Sequence, residues 1–433
     1  MCDVIYLSKI NTKEVFTMKS EYTRLKAACY TSNITMAVVS SLSPLLFLTF
    51  RSIYGISYSL LGLLVLINFF TQLIVDLIFS FFSHKFNISL TVRVMPVLAV
   101  VGFSVYALAP FLFPGNVYLG LLIGTMIFSV ASGLAEVLIS PIIAAIPAKD
   151  PDKEMSKLHA IFAWGAVGVV IFSTLFLFLV GKEFWQILTF ILMLIPLSSG
   201  ILFCLAKIPQ MKTPEKTSGA LRFLKNKTVW LCMLGIFLGG AAECTMSQWT
   251  SGYLEQVFGI PKAVGDILGV AAFAAALGTG RTLYSKIGKN IHRALFLGAI
   301  GATLCYLTAA LSPFGFLGLF ACAFTGFCVS MLWPGSLIVA SDYFPDGGVL
   351  IYALMAAGGD LGASVGPQLV GLITDFAIEN PTIASLAEGL GLSAEQVGMK
   401  LSMLVGMLFP LVAIPLFAYF KAQRKKASIS EKK

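Results

Sequence analysis

Apolar and polar residues follow one another along this chain in long blocks. Stretches of about 20 apolar residues recur from end to end, and as a helix each can cross a hydrocarbon core of about 30 Å. One helix per stretch predicts twelve spans, at 28–50, 58–82, 91–112, 116–147, 158–180, 184–206, 229–254, 263–285, 293–312, 314–341, 349–376 and 399–421. Alternating segments of about 10 residues, the mark of an outer-membrane barrel, are absent from the sequence. The pattern predicts an all-α membrane protein.

The blocks also repeat. Tyr54-Gly55-Ile56 before span 2 matches Phe258-Gly259-Ile260 before span 8, 204 residues on. Asn87-Ile88 matches Asn290-Ile291, and "ALAPF" at 107–111 matches "ALSPF" at 310–314, each 203 residues on. "GLAEVLISP" at 133–141 then matches "GFCVSMLWP" at 326–334. Four matches in order predict two pseudo-symmetric six-helix bundles in parallel repeat, an architecture of transporters that rock one half against the other. The expected organisation is an N-tail (1–26), a first bundle (27–206), a polar basic linker (207–228), a second bundle (229–421) and a basic C-tail (422–433).

Composition agrees. Of the 433 residues 58% are hydrophobic and 12% charged, with mean hydropathy +0.89, where a soluble domain carries roughly 25% charged residues. Charge then orients the chain. With both termini in the cytosol, 26 of the 30 Lys and Arg fall on the cytosolic side, leaving Arg51, Lys182, Lys262 and Lys400 outside. The positive-inside rule favours that orientation. It accounts for the net charge of +9 without nucleic-acid binding, and the lipid bilayer is the expected macroscopic partner. The first 26 residues hold five Lys/Arg and no apolar core, so no secretory signal is expected there, and Met18 is a candidate start. The eight cysteines form no C-x-x-C pair and read as packing residues, and no metal-ligand cluster is expected. No G-x-x-x-x-G-K-[ST] loop and no nucleophile–base motif occur, so neither a nucleotide-driven pump, nor an enzyme, nor a cofactor is expected.

Twelve spans, a six-plus-six repeat and a basic central loop resemble the major facilitator superfamily over essentially the whole chain. "GLAEVLISPIIAAIP" followed by "SKLHAIFAWG" resembles the fourth and fifth helices of fucose-permease-like sugar:proton symporters. "AECTMSQWTSGYL" at 242–254 and "GTGRTLYSKIGKN" at 278–290 resemble patterns in related transporters. The resemblance implies the major facilitator fold and secondary transport of a small solute with protons, a sugar being favoured. Two features depart from it. The segment "QLIVDLIFSFFSHKFN" keeps Asp76 but lacks the superfamily's usual glycines and adjacent Arg, and span 1 has no acid.

Acids inside spans carry the expected chemistry. An ionised carboxylate facing lipid at the bilayer centre costs at least about 2.5–3.5 kcal/mol, so such groups face the bundle interior, pair, or hold a proton. Counting helix rise places Glu136, Glu243 and Asp360 near mid-membrane, as candidates for proton coupling or substrate binding. Glu136 has no midplane Lys or Arg in sequence reach, and its repeat position is Val329. Asp360 sits among glycines that also suit close helix packing. Asp76, near a cytosolic end, is expected to cap or latch helix ends at a gate, with Arg281 as its counterpart, and His159 at the mouth of span 5 either bonds a helix end or relays protons. Gln248, Trp249, Trp333, Asn33 and Asn68 are candidate substrate contacts, since a sugar ring stacks on an indole and bonds amides. Trp249 is alternatively an interfacial anchor.

The expected function is a plasma-membrane secondary transporter, most simply a monomer, that takes up a sugar or other small polar solute with protons. Proton-driven efflux is the second reading, and a non-transporting receptor the third.

Overall fold

A computed structural model describes residues 22–82, 85–146, 151–209, 225–344 and 348–430. Met18 and most of the 207–228 linker lie outside the described residues. Among the described residues, twelve segments are long and apolar enough to cross a membrane: α1 Thr23–Tyr54, α2 Tyr58–Phe79, α3 Ile88–Ala107, α4 Val117–Ile143, α5 Ala160–Val180, α6 Lys182–Leu205, α7 Lys227–Phe258, α8 Lys262–Tyr284, α9 Ile291–Leu311, α10 Gly315–Tyr343, α11 Leu354–Glu379 and α12 Ala394–Arg424. No strand occurs among them. One short helix, Pro381–Gly389, joins α11 to α12.

The twelve segments match the twelve expected, with informative differences. α1 and α7 are 32 residues each, longer than the apolar count predicted. Both end at a glycine in the left-handed region, Gly55 at φ 65° and Gly259 at φ 64°, whose N–H bonds back to the carbonyls of Arg51 and Glu255 respectively. Glycine alone adopts that cap without strain. At the starts of α3 and α9, Asn87 and Asn290 accept the backbone N–H of Leu90 and Arg293, satisfying a first-turn donor. The sequence repeat is thus a repeat of helix stops and starts.

Three spans are interrupted. α6 breaks at Met193. α8 opens with a π-helical stretch, Gly265–Ala271. α10 breaks at Ser330–Met331, just before Pro334. Proline has no N–H and cannot bond the carbonyl four residues earlier; here that is the carbonyl of Ser330.

Large apolar side chains such as Phe178 and Leu179 are 72% and 76% exposed on the outside of the bundle, as a lipid-facing surface requires. Inside, glycines let helices close. A Cβ on Gly362 of α11 would overlap the Phe237 carbonyl of α7, and one on Gly371 would overlap the Tyr58 carbonyl of α2. The first contact lies within the second half and the second bridges the halves.

Candidate functional site

The bridge between halves is strongest at the end away from the termini, and it is polar. Asp375 of α11 accepts the backbone N–H of Tyr58 at 3.1 Å and the backbone N–H and hydroxyl of Ser59 at 2.7 and 2.6 Å. These are first-turn donors of α2, so one half supplies the N-cap of a helix in the other. Gln368 of α11 adds a bond to the Ser59 carbonyl at 3.2 Å. Glu395 of α12 accepts from the Tyr58 hydroxyl and lies 3.6 Å from the Arg51 guanidinium, which stands 4.0 Å over the Tyr58 ring. Beside this, buried Asp266 in the π stretch accepts from Thr174 of α5 at 3.0 Å and from Ser251 of α7, and pairs with Lys262 at 2.8 Å. A cleft of about 300 Å³ lies in the same end face, lined by Arg51, Lys182, Lys262, Glu255 and Glu395 among others.

Toward the other end, α2, α4 and α11 bring three acids together. One oxygen from each of Asp76, Glu136 and Asp360 lies within 4.8 Å of the others. Asp76 and Asp360 are 2% and 3% exposed, and Glu136 is half-buried. Neither Asp76 oxygen, nor Oδ2 of Asp360, meets a hydrogen-bond donor from outside the cluster among the described residues. At 4.8 Å two unit charges repel by about 3 kcal/mol at an effective dielectric of about 20, so three full charges call for protons or a cation among them. This corrects the expected place of Asp76. It meets the mid-span acids although it lies six residues from the end of its helix at Phe82 and Asp360 twelve from the start of its own at Gly348, so those two ends are not level.

Arg281 is likewise not the partner of Asp76. Its Nε donates to the Ser330 carbonyl at 3.1 Å, the acceptor that Pro334 leaves free. Its Nη2 meets both oxygens of Glu243 at 3.3 Å. Glu243 therefore has a cation partner inside the bundle, one that residue counting missed because the long Arg side chain reaches across from α8. Trp333 packs its ring against Gly240 of α7 and Gly359 of α11, where an added Cβ would stand 2.9 and 2.5 Å from it.

Asn33, Asn68 and Trp249 are engaged with protein. Asn33 donates to the Leu158 carbonyl at 2.8 Å. Asn68 Oδ1 accepts from Gln72 at 3.0 Å and Ser129 at 2.6 Å. Gln248 is buried on α7. Trp249 is 1% exposed, donates to the Pro367 carbonyl at 2.9 Å, and packs on Phe47 and Tyr58 of the first half at 4.9 and 5.9 Å between ring centroids. The interfacial-anchor alternative fails, since α7 runs on to Phe258 and leaves Trp249 about 13 Å from the helix end. The His159 side chain lies outside the described residues. Asp266, Asp375 and Glu395 were not expected; near span ends, acids read as ordinary helix-end charges.

Two six-helix repeats, tied at one end and meeting round buried acids deeper in, define a multi-pass helical transporter. Residues 29–367 match the profile of the Major Facilitator Superfamily, and the chain belongs to that family. No curated protein sequence matches it. Among solved structures it is similar to a bacterial homologue of the human lysosomal transporter Spinster in an inward-facing, occupied conformation, with TM-score 0.69 and 15% identity, covering 93% of this chain and 97% of that one. It is also similar to the Escherichia coli fucose:proton symporter (TM-score 0.61, 15% identity, 92% and 99% covered) and to a D-xylose-proton symporter (TM-score 0.68, 15% identity, 92% and 99% covered). At these identities the likeness is one of fold.

Proposed function

We propose that this protein is a proton-coupled importer of a sugar or similar small polar solute, working in the plasma membrane by alternating access with both termini in the cytosol. The observation that carries the reading is the Asp76–Glu136–Asp360 cluster. It joins α2 and α4 of the first half to α11 of the second, so its charge acts on the seam along which the halves move. Loaded with protons it lets the seam close, and stripped of them it drives the halves apart by the mutual repulsion of its carboxylates. The solute class rests on the fucose-permease-like motifs and on the two sugar:proton symporters among the fold neighbours. The orientation rests on the distribution of Lys and Arg; in it, the end sealed by Asp375 and Glu395 is the extracellular one.

Uptake of labelled sugars into proteoliposomes, with and without an inward proton gradient, tests this. Gradient-driven accumulation that is lost in Glu136→Gln is the expected result. Gradient-driven expulsion would favour efflux instead, and movement of no solute would overturn the reading.

A further inference from the structure

The Arg281–Glu243 pair has the geometry of a receptor for a charged solute. Pro334 strips the Ser330 carbonyl of its helical donor, and Arg281 Nε occupies it. The guanidinium is thereby fixed in orientation by one of its five donors. Only Nη2 then reaches Glu243, at 3.3 Å to both oxygens, where a forked Arg–carboxylate bond uses two nitrogens at about 2.7–2.9 Å. Nη1 has no hydrogen-bond partner among the described residues, and the side chain is 36% exposed. No other Lys or Arg among the described residues is ion-paired with a carboxylate in the inner part of a span.

We propose that Arg281 binds the carboxylate of a singly charged organic acid, such as a sugar acid, which displaces Glu243 from the guanidinium. The inference rests on the transport reading and names its substrate class. One guanidinium matches one negative charge. The solute's carboxylate makes the forked bond that Glu243 does not, and Glu243, released, takes up one proton, so the site is neutral before and after. Trp333, three residues after the Ser330 that holds Arg281 and packed on Gly240, three residues before Glu243, is the aromatic group this site would offer the solute's carbon skeleton. Anion and proton thus enter together, and the cluster at Asp76 is not needed for this charge balance.

The test uses the full chain in proteoliposomes with labelled D-glucuronate, D-glucose and D-glucose 6-phosphate under an inward proton gradient. Glucuronate should accumulate in preference to glucose. Arg281→Gln should lower its uptake about 10-fold or more, as loss of a hydrogen bond to a charged group does. Arg281→Lys, which keeps the charge but not the fork, should retain weaker uptake. Glu243→Gln should still exchange labelled for unlabelled glucuronate but lose gradient-driven accumulation. Thermal unfolding checks folding of each variant, and glucuronate should raise the midpoint of the parent but not of Arg281→Gln. Accumulation of glucose alone would overturn this inference while leaving the importer reading intact. Preference for the phosphate, or Arg281→Gln transport equal to the parent's, would overturn it too.

Discussion

The cap that Asp375 provides to α2 sets how firmly one end of the protein stays shut. The perturbation is Asp375→Ala. In the closed arrangement the carboxylate takes three donors, the N–H groups of Tyr58 and Ser59 and the Ser59 hydroxyl, at 3.1, 2.7 and 2.6 Å. Removing an acidic N-cap costs about 0.5–2 kcal/mol. The loss is softened because Ser57, in the same half as α2, already accepts the Leu60 N–H at 3.3 Å and tightens when Asp375 is gone. A shift of about 0.5–1.5 kcal/mol remains, and it falls only on the closed state, since opening parts Asp375 from α2 in any case. The closed-to-open ratio should then drop about 2–12-fold. Gln256→Cys reports it, because Gln256 lines the cleft at that end. Its reaction rate with a membrane-impermeant maleimide, corrected for protein lacking the introduced cysteine, should rise by that factor in Asp375→Ala. Asp375→Asn, which keeps an acceptor but not the charge, should fall between. A rate unchanged in both would refute the idea that this cap holds the end closed.

Other outcomes follow from the same geometry. Asp76→Asn takes one acid out of a cluster of three that meets no outside donor among the described residues, so it should raise the thermal unfolding midpoint while lowering gradient-driven accumulation; a lower midpoint would contradict the account of that cluster. Gly371→Ala and Gly362→Ala should differ in kind. The first pushes on Tyr58 across the seam and should raise Gln256→Cys labelling with little loss of stability, whereas the second wedges α7 from α11 within one half and should cost about 1–3 kcal/mol of stability. At the end bearing the termini, Lys26 lies 2.8 Å from Glu154 and holds its carboxyl below the usual range. That stabilisation is present above the ordinary glutamate pKa and is lost as pH falls through the lowered one. Lys26→Ala should therefore destabilise at neutral pH by under about 1 kcal/mol, as expected of a partly exposed pair, and the difference in melting midpoint should vanish in stronger acid.

Much of this fold is legible in one dimension because a membrane imposes length and polarity on each segment separately. The repeat is legible for a different reason: Gly55 and Gly259, like Asn87 and Asn290, do local jobs that only a few residue types can do. What escapes is whatever depends on tilt and reach. Asp76 and Asp360 meet because the end of one helix and the start of the other are not level: Asp76 lies six residues from Phe82, and Asp360 twelve from Gly348. Arg281 finds Glu243 because a proline on a third helix frees the carbonyl that aims it. Asp266, paired with Lys262 four residues before it, reads in sequence as an exposed helix-end pair. Its burial against Thr174 is a fact about the other half of the chain.

The π-helical stretch at Gly265–Ala271 bears on how the chain tolerates gain and loss of residues. A π turn holds one residue more than the α turn it interrupts. Deleting one residue there would let α8 run on as an uninterrupted helix, with every backbone bond still made. The fold should survive that deletion better than one elsewhere in the span. Because the π turn and the α turn that would replace it each close one turn, the two ends of α8 would keep their relative facing, so Arg281 should keep Glu243 while Asp266, inside the altered turn, would lose its place against Thr174. The extra residue widens the helix at the seal and leaves the charged site at the other end in phase.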